Sequence, residues 1–387
     1  MPAADEGAVR AAAAPSEPES RRPAARHRDA PRDAIEWQLT ILWQRLLERG
    51  AVGLRDDFFA LGGTRALAEE MLAEIARTLG VVLPYETLAA SPRVAAVAAA
   101  LRGREDCHVR DSLLPIRTRG VRAPFFLLHR ARGHLLPYQQ LVQHLSSDLP
   151  LYGLQAVERA PDMPLHTTIE EMAEHQIAVM RRVQPSGPYR FGGSSFGGVL
   201  AFEIARRLEQ QGERVSLLAL LDTDPPPPPL GPIGRSMRAG RRMRRYALHH
   251  WREIRALPGG RRVGYSGALA ARVLRRALRL EAASAGSRDA LPQPLFDCRT
   301  MRMLYAAFYA HRPGRYGGRV TLFAAQQHRL PGLNLPRMWR PYARDLEVVQ
   351  VPGGHLTMLT APHVEHLARA LGDALDRADA RAGSLHA

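Results

Sequence analysis

The sequence predicts an α/β chain: a mostly parallel sheet covered by helices, preceded by a small all-α bundle of four helices. Three observations predict it. Between Tyr189 and Leu221 a short apolar strand, a small-residue turn, a helix and a continuous apolar strand follow one another, which makes one βαβ unit. Further apolar runs of strand length flank this unit, separated by helix-length stretches. Upstream, between Asp33 and Leu101, apolar residues recur at helical spacing.

A chain of 387 residues is long enough for one large domain and a smaller one. Apolar content of 45% with 24% charged residues is ordinary for a globular protein and excludes a low-complexity chain. No window approaches the roughly 20 apolar residues of a membrane span, so no membrane partner is expected. The N-terminus lacks the apolar core of a secretory signal. Cys107 and Cys298 stand far apart without metal-type spacing. A reducing, cytoplasmic setting and no metal site are the expectation. The formal charge of +16 raises nucleic-acid binding as a possibility. Its source is arginine without lysine in a chain rich in Ala, Gly and Pro, which reads as compositional bias, and no nucleic-acid partner is expected. The basic excess is concentrated between Arg235 and Arg279, a feature suited to an acidic protein partner.

In order along the chain, residues 1–32 lack apolar periodicity and are expected to be a disordered tail. Residues 33–103 carry the bundle. Its first helix presents Ile35, Leu39, Leu42, Trp43, Leu46 and Leu47 and ends near Gly50. The second presents Leu67, Met71, Leu72, Ile75 and Leu79 and stops at Gly80. A short helix around Tyr85–Ala89 and a last one from Pro92 to Leu101 complete it. Residues 104–112 are a polar linker, and residues 113–380 form the large domain. There, strands are expected at Leu113–Ile116, Pro124–His129, Val215–Leu221, Arg319–Ala324 and Leu346–Val351, with helices at Ile169–Val183 and Arg299–His311. Prolines after Asp224 open an arginine-rich insertion spanning about 225–295.

The organising motif is Gly193-Ser-Ser-Phe-Gly197, which fits G-x-S-x-G, a sharp strand-to-helix turn that lifts a nucleophilic serine above a parallel sheet. The nucleophile adopts a strained backbone, and side chains at the flanking positions would strike the neighbouring strand and helix. Register selects Ser195. Ser194 would need a glycine at 196, where the chain has Phe196.

Two resemblances extend this. Asp56-Asp-Phe-Phe-Ala-Leu-Gly-Gly-Thr-Arg-Ala-Leu67 resembles the core motif of the carrier domains of nonribosomal peptide synthetases and polyketide synthases. In that family a serine follows Gly-Gly-x and receives the phosphopantetheine arm; here Arg65 stands at that position, with Thr64 one place early. The resemblance therefore implies a degenerate carrier-like bundle with no covalently bound cofactor. His129-Arg-Ala-Arg-Gly-His-Leu-Leu-Pro-Tyr138 is similar to the His-Pro-x-Gly-Gly loop of the thioesterase domains that end peptide synthetase assembly lines. In this chain Arg130 and Arg132 replace the usual Pro and Gly. Leu151-Tyr-Gly-Leu-Gln-Ala156, Gly187–Gly198, Leu218–Asp222 and Val351-Pro-Gly-Gly-His-Leu-Thr-Met358 match the same family in the same order.

This second resemblance implies an α/β-hydrolase with a lid over the site at about 225–295, and a triad in the chain order Ser, acid, His. A serine hydroxyl is a poor nucleophile until a base takes its proton, and the base must be oriented by a third group. Asp222 ends the strand after the nucleophile helix and is the expected acid, with Asp224 the weaker candidate. His355 follows Pro352-Gly-Gly at the end of an apolar strand and is the expected base. His129 is read as a structural residue of the oxyanion loop, and His363 and His366 as surface residues of the final helix. Oxyanion donors are expected from the N–H groups of Phe196 and Ala131.

The function implied is a thioesterase acting through an acyl-Ser195 intermediate, with release by hydrolysis or cyclisation. Because Arg65 cannot hold the arm, the substrate is expected on the phosphopantetheine of a partner carrier, supplied by a synthetase module in trans, or on coenzyme A. Two alternatives stand beside it: a proofreading thioesterase that clears misloaded carriers, and a docking protein of a synthetase complex. On this reading the bundle is a separable module.

Overall fold

The computed structural model describes residues 30–102, 104, 106–157, 166–227, 298–327 and 334–383. Almost all of the expected tail (1–32) and of the expected insertion (225–295), including the arginine-rich stretch, lies outside the described residues.

The bundle comprises α1 (Ala34–Leu46), α2 (Arg65–Leu79), α3 (Tyr85–Ala90) and α4 (Val94–Leu101). Its helix ends follow local chemistry. Asp33 caps α1 by accepting from the Glu36 amide at 2.9 Å, Thr64 caps α2 by accepting from the Leu67 amide at 3.3 Å, and Gly80 closes α2 in the left-handed conformation at φ 77°. The expected apolar faces meet in one core that includes Leu39, Leu42, Trp43, Met71, Leu72 and Ile75.

The sheet contains β1 (Leu113–Arg117), β2 (Phe125–Leu128), β3 (Leu151–Leu154), β4 (Tyr189–Ser194), β5 (Val215–Leu221), β6 (Tyr316–Gln327) and β7 (Ala343–Gly354). Its order is β1-β3-β2-β4-β5-β6-β7. Only the edge strand β1 runs antiparallel; every other pair is parallel. Side chains alternate across it with the strand period of two. Leu218 and Leu220 face a core built with α6 (Ile169–Arg181), α7 (Phe196–Gln210), α8 (Cys298–Ala310) and α9 (Leu335–Trp339). Leu217, Ala219 and Leu221 face the opposite core, with α5 (Gln139–His144) and α10 (Val364–Gly383).

Several boundaries move for physical reasons. Helix α7 starts at Phe196, immediately after the serine, because the glycines at 197 and 198 remain helical when packed against neighbouring chain. Strands β6 and β7 run to 12 residues each, beyond their apolar runs. Their polar ends pair with each other, from Tyr316↔Ala343 to Gln327↔Gly354, at an edge where one face meets water. Helix α9, which apolar patterning leaves unmarked, is held by its buried Trp339.

Helix α1 departs from the picture of a separable bundle. All ten residues from Ala34 to Trp43 are buried. Leu39, Leu42 and Trp43 belong to the bundle core, whereas Trp37 and Ile41 belong to the core beneath the sheet. Two residues of the linker are tied down as well. Asp111 accepts from Arg182, just past the end of α6, at 2.9 Å and also pairs with Arg77 of α2, and the Ser112 hydroxyl lies 2.6 Å from His175 Nε2. The bundle is therefore packed onto the sheet domain rather than tethered beside it.

Candidate active site

Ser195 sits between β4 and α7 at φ 59°, ψ −116°, a conformation that costs a non-glycine residue on the order of 1–3 kcal/mol. The surrounding glycines explain how it is held. A Cβ on Gly193 would lie 2.5 Å from the backbone of Gly197, and one on Gly197 would lie 2.5 Å from the His129 carbonyl oxygen. Strand and helix can approach this closely only without those side chains. The turn separates the two serines as register requires: Ser194 is fully buried within β4, while Ser195 is partly accessible.

Asp222 follows β5, the strand beside β4, so parallel pairing delivers it to the same sheet edge as Ser195. Its backbone also lies in the left-handed region, at φ 43°. The carboxylate is buried and has two distinct partners. Oδ1 accepts from the Ala325 amide at 3.0 Å, and Oδ2 lies 2.8 Å from His355 Nδ1. An ionised carboxylate can only accept, which assigns the imidazole proton to Nδ1 and leaves Nε2 as the basic nitrogen. His355 occupies the loop beyond β7, which crosses two strands from β5 at the same edge. Asp222 and His355 are thus joined by a hydrogen bond at the edge that carries Ser195. Asp224 is half-buried further along the loop.

The first amides of a helix have no carbonyl partner within it. Phe196 opens α7, so its N–H belongs to this group and to the positive end of the helix dipole. Ala131 lies in the turn after β2, 9% exposed. His129 begins that turn; its ring stacks on Phe196 with centroids 5.4 Å apart, and its Nδ1 donates to the Arg130 carbonyl at 2.9 Å. Burial pushes the His129 imidazole down to about 4, so it stays neutral and fixed in this bond. His363 lies in the turn just before α10 and is half-buried, one residue outside the helix expected for it, and His366 is exposed on α10.

Two further residues complete the scaffold. The Tyr138 hydroxyl accepts from the Ser194 amide at 2.7 Å and donates to the Leu128 carbonyl at 3.0 Å, which ties β4 to β2 one residue before Ser195. Burial raises this phenol to about 12, so it remains a donor. Trp339 Nε1 donates to the Thr223 carbonyl at 2.6 Å, bracing the turn that presents Asp222. The sequence does not show the partner of either, because a phenol or an indole that bonds a distant backbone group leaves no local pattern.

At the carrier-like position, Arg65 opens α2 with its guanidinium exposed. It pairs with Glu69 at 2.9 Å and lies 4.9 Å from the centroid of the Tyr85 ring. The neighbouring Thr64 hydroxyl is occupied as the helix cap.

This sheet order, with a serine on a strand-to-helix turn and an Asp–His pair on the same edge, is the architecture of an α/β-hydrolase behind a helical carrier-like bundle. Residues 123–242 match the family model described as Thioesterase domain, and residues 37–101 match the one described as Phosphopantetheine attachment site. The chain is 42% identical over 197 residues to Malpinin synthetase of Mortierella alpina, covering 50% of this chain and 2% of that protein. It is 39% identical over 195 residues to a dimodular nonribosomal peptide synthase of Bacillus subtilis, covering 50% of this chain and 8% of that protein. The chain thus spans only a small part of the length of these relatives. Among solved structures, a four-domain holo nonribosomal peptide synthetase bound to AMP and glycine matches with a TM-score of 0.64 and 26% identity, over 89% of this chain and 26% of that one. The two family models fall in the order, carrier then thioesterase, that the motifs give. No helix among the described residues is long and apolar enough to cross a membrane.

Proposed function

We propose that this chain is a serine thioesterase of natural-product biosynthesis, which takes an acyl or peptidyl thioester from a phosphopantetheine arm supplied by another carrier or by coenzyme A. The observation that carries the reading is the 2.8 Å bond between His355 Nδ1 and Asp222 on the sheet edge that presents the strained Ser195.

His355 Nε2 takes the Ser195 proton as the oxygen attacks the thioester carbonyl. Asp222 keeps the imidazole in the tautomer this requires and stabilises the imidazolium that forms. The N–H groups of Phe196 and Ala131 receive the oxyanion of the tetrahedral intermediate. Collapse expels the pantetheine thiol, which takes the proton back from His355 and leaves an ester on Ser195. Water, or a nucleophile within the acyl chain, then repeats the cycle and releases an acid or a ring. The arm itself is not proposed for this chain. Phosphopantetheine is esterified to a hydroxyl, and Arg65 carries none, while the Thr64 oxygen already accepts from the Leu67 amide.

Two measurements test this together. A fluorophosphonate should label Ser195, as located by peptide mass spectrometry, and Ser195→Ala should abolish both labelling and turnover of a panel of acyl-pantetheine thioesters. Labelling at another residue, or turnover that survives Ser195→Ala, defeats the reading.

A further inference from the structure

We propose that the carrier-like bundle positions the oxyanion loop of the thioesterase, through the side chains of Gln38 and Gln155. The inference rests on the reading of Ser195 and Ala131 given above and adds a role for the bundle within the chemistry.

The loop from His129 to Gly133 is pinned at both ends to one short segment, the last residues of β3 and those just after it. At its start the His129 amide donates to the Leu154 carbonyl at 2.9 Å; at its end the Gly133 carbonyl accepts from the Ala156 amide at 2.9 Å. Ala131 lies midway. Within it the Gly133 amide and the His129 ring both donate to the Arg130 carbonyl, and Gly133 takes the left-handed conformation at φ 80°. Where Ala131 sits therefore depends on where Leu154, Gln155 and Ala156 sit.

That segment is held partly from outside the sheet domain. The Gln155 amide donates to the Ser112 carbonyl at 2.8 Å, and its carbonyl accepts from Gln176 of α6 at 2.8 Å. Its side-chain oxygen accepts from Gln38 Nε2 of α1 at 2.7 Å. Gln38 is 7% exposed and Gln155 is 3% exposed, so water is poorly placed to replace the bond. Ala156, the residue that bonds Gly133, packs into the bundle core itself. A continuous path thus runs from α1 through Gln155 and Ala156 to the loop that carries the second oxyanion donor. A donor displaced by a fraction of an ångström forfeits part of its transition-state bond without changing ground-state binding. Gln38 and Gln155 are accordingly positioning residues.

The test uses the full chain, with active sites counted by fluorophosphonate labelling and an acyl-N-acetylcysteamine thioester as substrate. Gln38→Met and Gln155→Met each break the bond while keeping side-chain length. Each should lower kcat per labelled site by about 5–20-fold, a fraction of the roughly 10²–10³-fold lost with a whole oxyanion donor. KM should stay within about twofold, since ground-state binding is untouched. An alkylboronic acid, whose tetrahedral adduct places an oxygen where the oxyanion forms, should bind both variants more weakly by a similar factor. The double variant should be no worse than either single one, because both remove the same bond. Leu88→Ala weakens the bundle core from α3, outside the cavity that Gln38 and Gln155 line, and should lower the melting temperature while leaving kcat per labelled site and boronate affinity unchanged. Unchanged kcat and boronate affinity in Gln38→Met and Gln155→Met overturn the proposal, as does an equal loss in Leu88→Ala. If Gln38→Met is insoluble, Gln155→Met breaks the same bond from the other side and is read by the same criteria. A parent protein that is neither labelled at Ser195 nor active defeats the thioesterase reading itself, and with it this one.

Discussion

The Asp222→Asn substitution isolates the orienting role of the carboxylate from its shape. The two oxygens of Asp222 serve different donors, Ala325 N–H on Oδ1 and His355 Nδ1–H on Oδ2. An asparagine has one acceptor oxygen and one donor nitrogen. If its oxygen stays with Ala325, its NH₂ faces His355 Nδ1, which must then accept and carry its proton on Nε2, the nitrogen that should receive the proton of Ser195. If the amide flips, the NH₂ meets the buried Ala325 N–H, and an unpaired buried donor costs about 1–3 kcal/mol. The first arrangement is the lower in energy, and it disables the base. The expected loss in kcat is on the order of 10⁴-fold, or roughly 5 kcal/mol of transition-state stabilisation at 1.36 kcal/mol per tenfold. Thiol release from an acyl-pantetheine, followed with a thiol-reactive dye and normalised to folded protein, measures it. Asp224→Asn should stay within about threefold of the parent by the same assay. A nearly normal Asp222→Asn beside an inactive Asp224→Asn would refute both the acid assignment and the tautomer argument behind it.

The remaining expectations concern stability and the bundle. Burial pushes His129, His134 and His175 each down to about 4 from an ordinary 6.5, so between those values the unfolded chain binds more protons than the folded one. Stability should be full above pH 6.5 and fall as the pH drops toward 4, with the wholly buried His129 alone contributing a loss on the order of 2 kcal/mol by pH 5; a urea midpoint unchanged between pH 7 and 5 would contradict this. Gly197→Ala drives a Cβ to 2.5 Å from the His129 carbonyl and 2.7 Å from that of Leu128, which should cost at least about 2 kcal/mol in a denaturant melt, whereas Gly212→Ala, in open space at φ 75°, should cost only about 1–2 kcal/mol. Incubation with coenzyme A and a broad-specificity phosphopantetheinyl transferase should leave the intact mass of the parent unchanged, and Arg65→Ser should gain one phosphopantetheine; a modified parent that loses the added mass on Thr64→Ala would make the bundle a working carrier. Removing residues 1–103 uncovers the surface beneath Trp37 and Ile41, whose burial is worth about 1.5–3 kcal/mol each, so the remaining fragment should melt at a lower temperature; an unchanged melting temperature would show that α1 is dispensable to the sheet domain.

Much of the site could be read from the chain because its signals are local. Gly193 and Gly197 mark Ser195 within five residues, since the collisions they avoid lie inside the turn itself. Asp222 and His355 each end an apolar strand, and strands of a parallel sheet deliver their C-terminal residues to one edge. Helix α1 held a signal that reading only one face passes over. Trp37 and Ile41, four residues apart, form a second apolar row beside that of Leu39, Leu42 and Trp43, and two such rows belong to a helix buried on both sides. Tyr138, Ala325 and Trp339 could not be found this way, because each acts through a backbone group far away in sequence.

By itself, then, the sequence determined most of the element types, the G-x-S-x-G register around Ser195, the order of Asp222 and His355 along the chain, and the absence of a hydroxyl at Arg65. These follow from period, turn chemistry and residue identity, which act over a few neighbours. The tertiary structure alone decided that β3 lies between β1 and β2, that Asp222 divides its oxygens between His355 and Ala325, and that Gln38 of the bundle meets Gln155 beside the loop that follows β2. Contacts between residues over a hundred positions apart depend on how whole elements pack, and no short window of sequence encodes that.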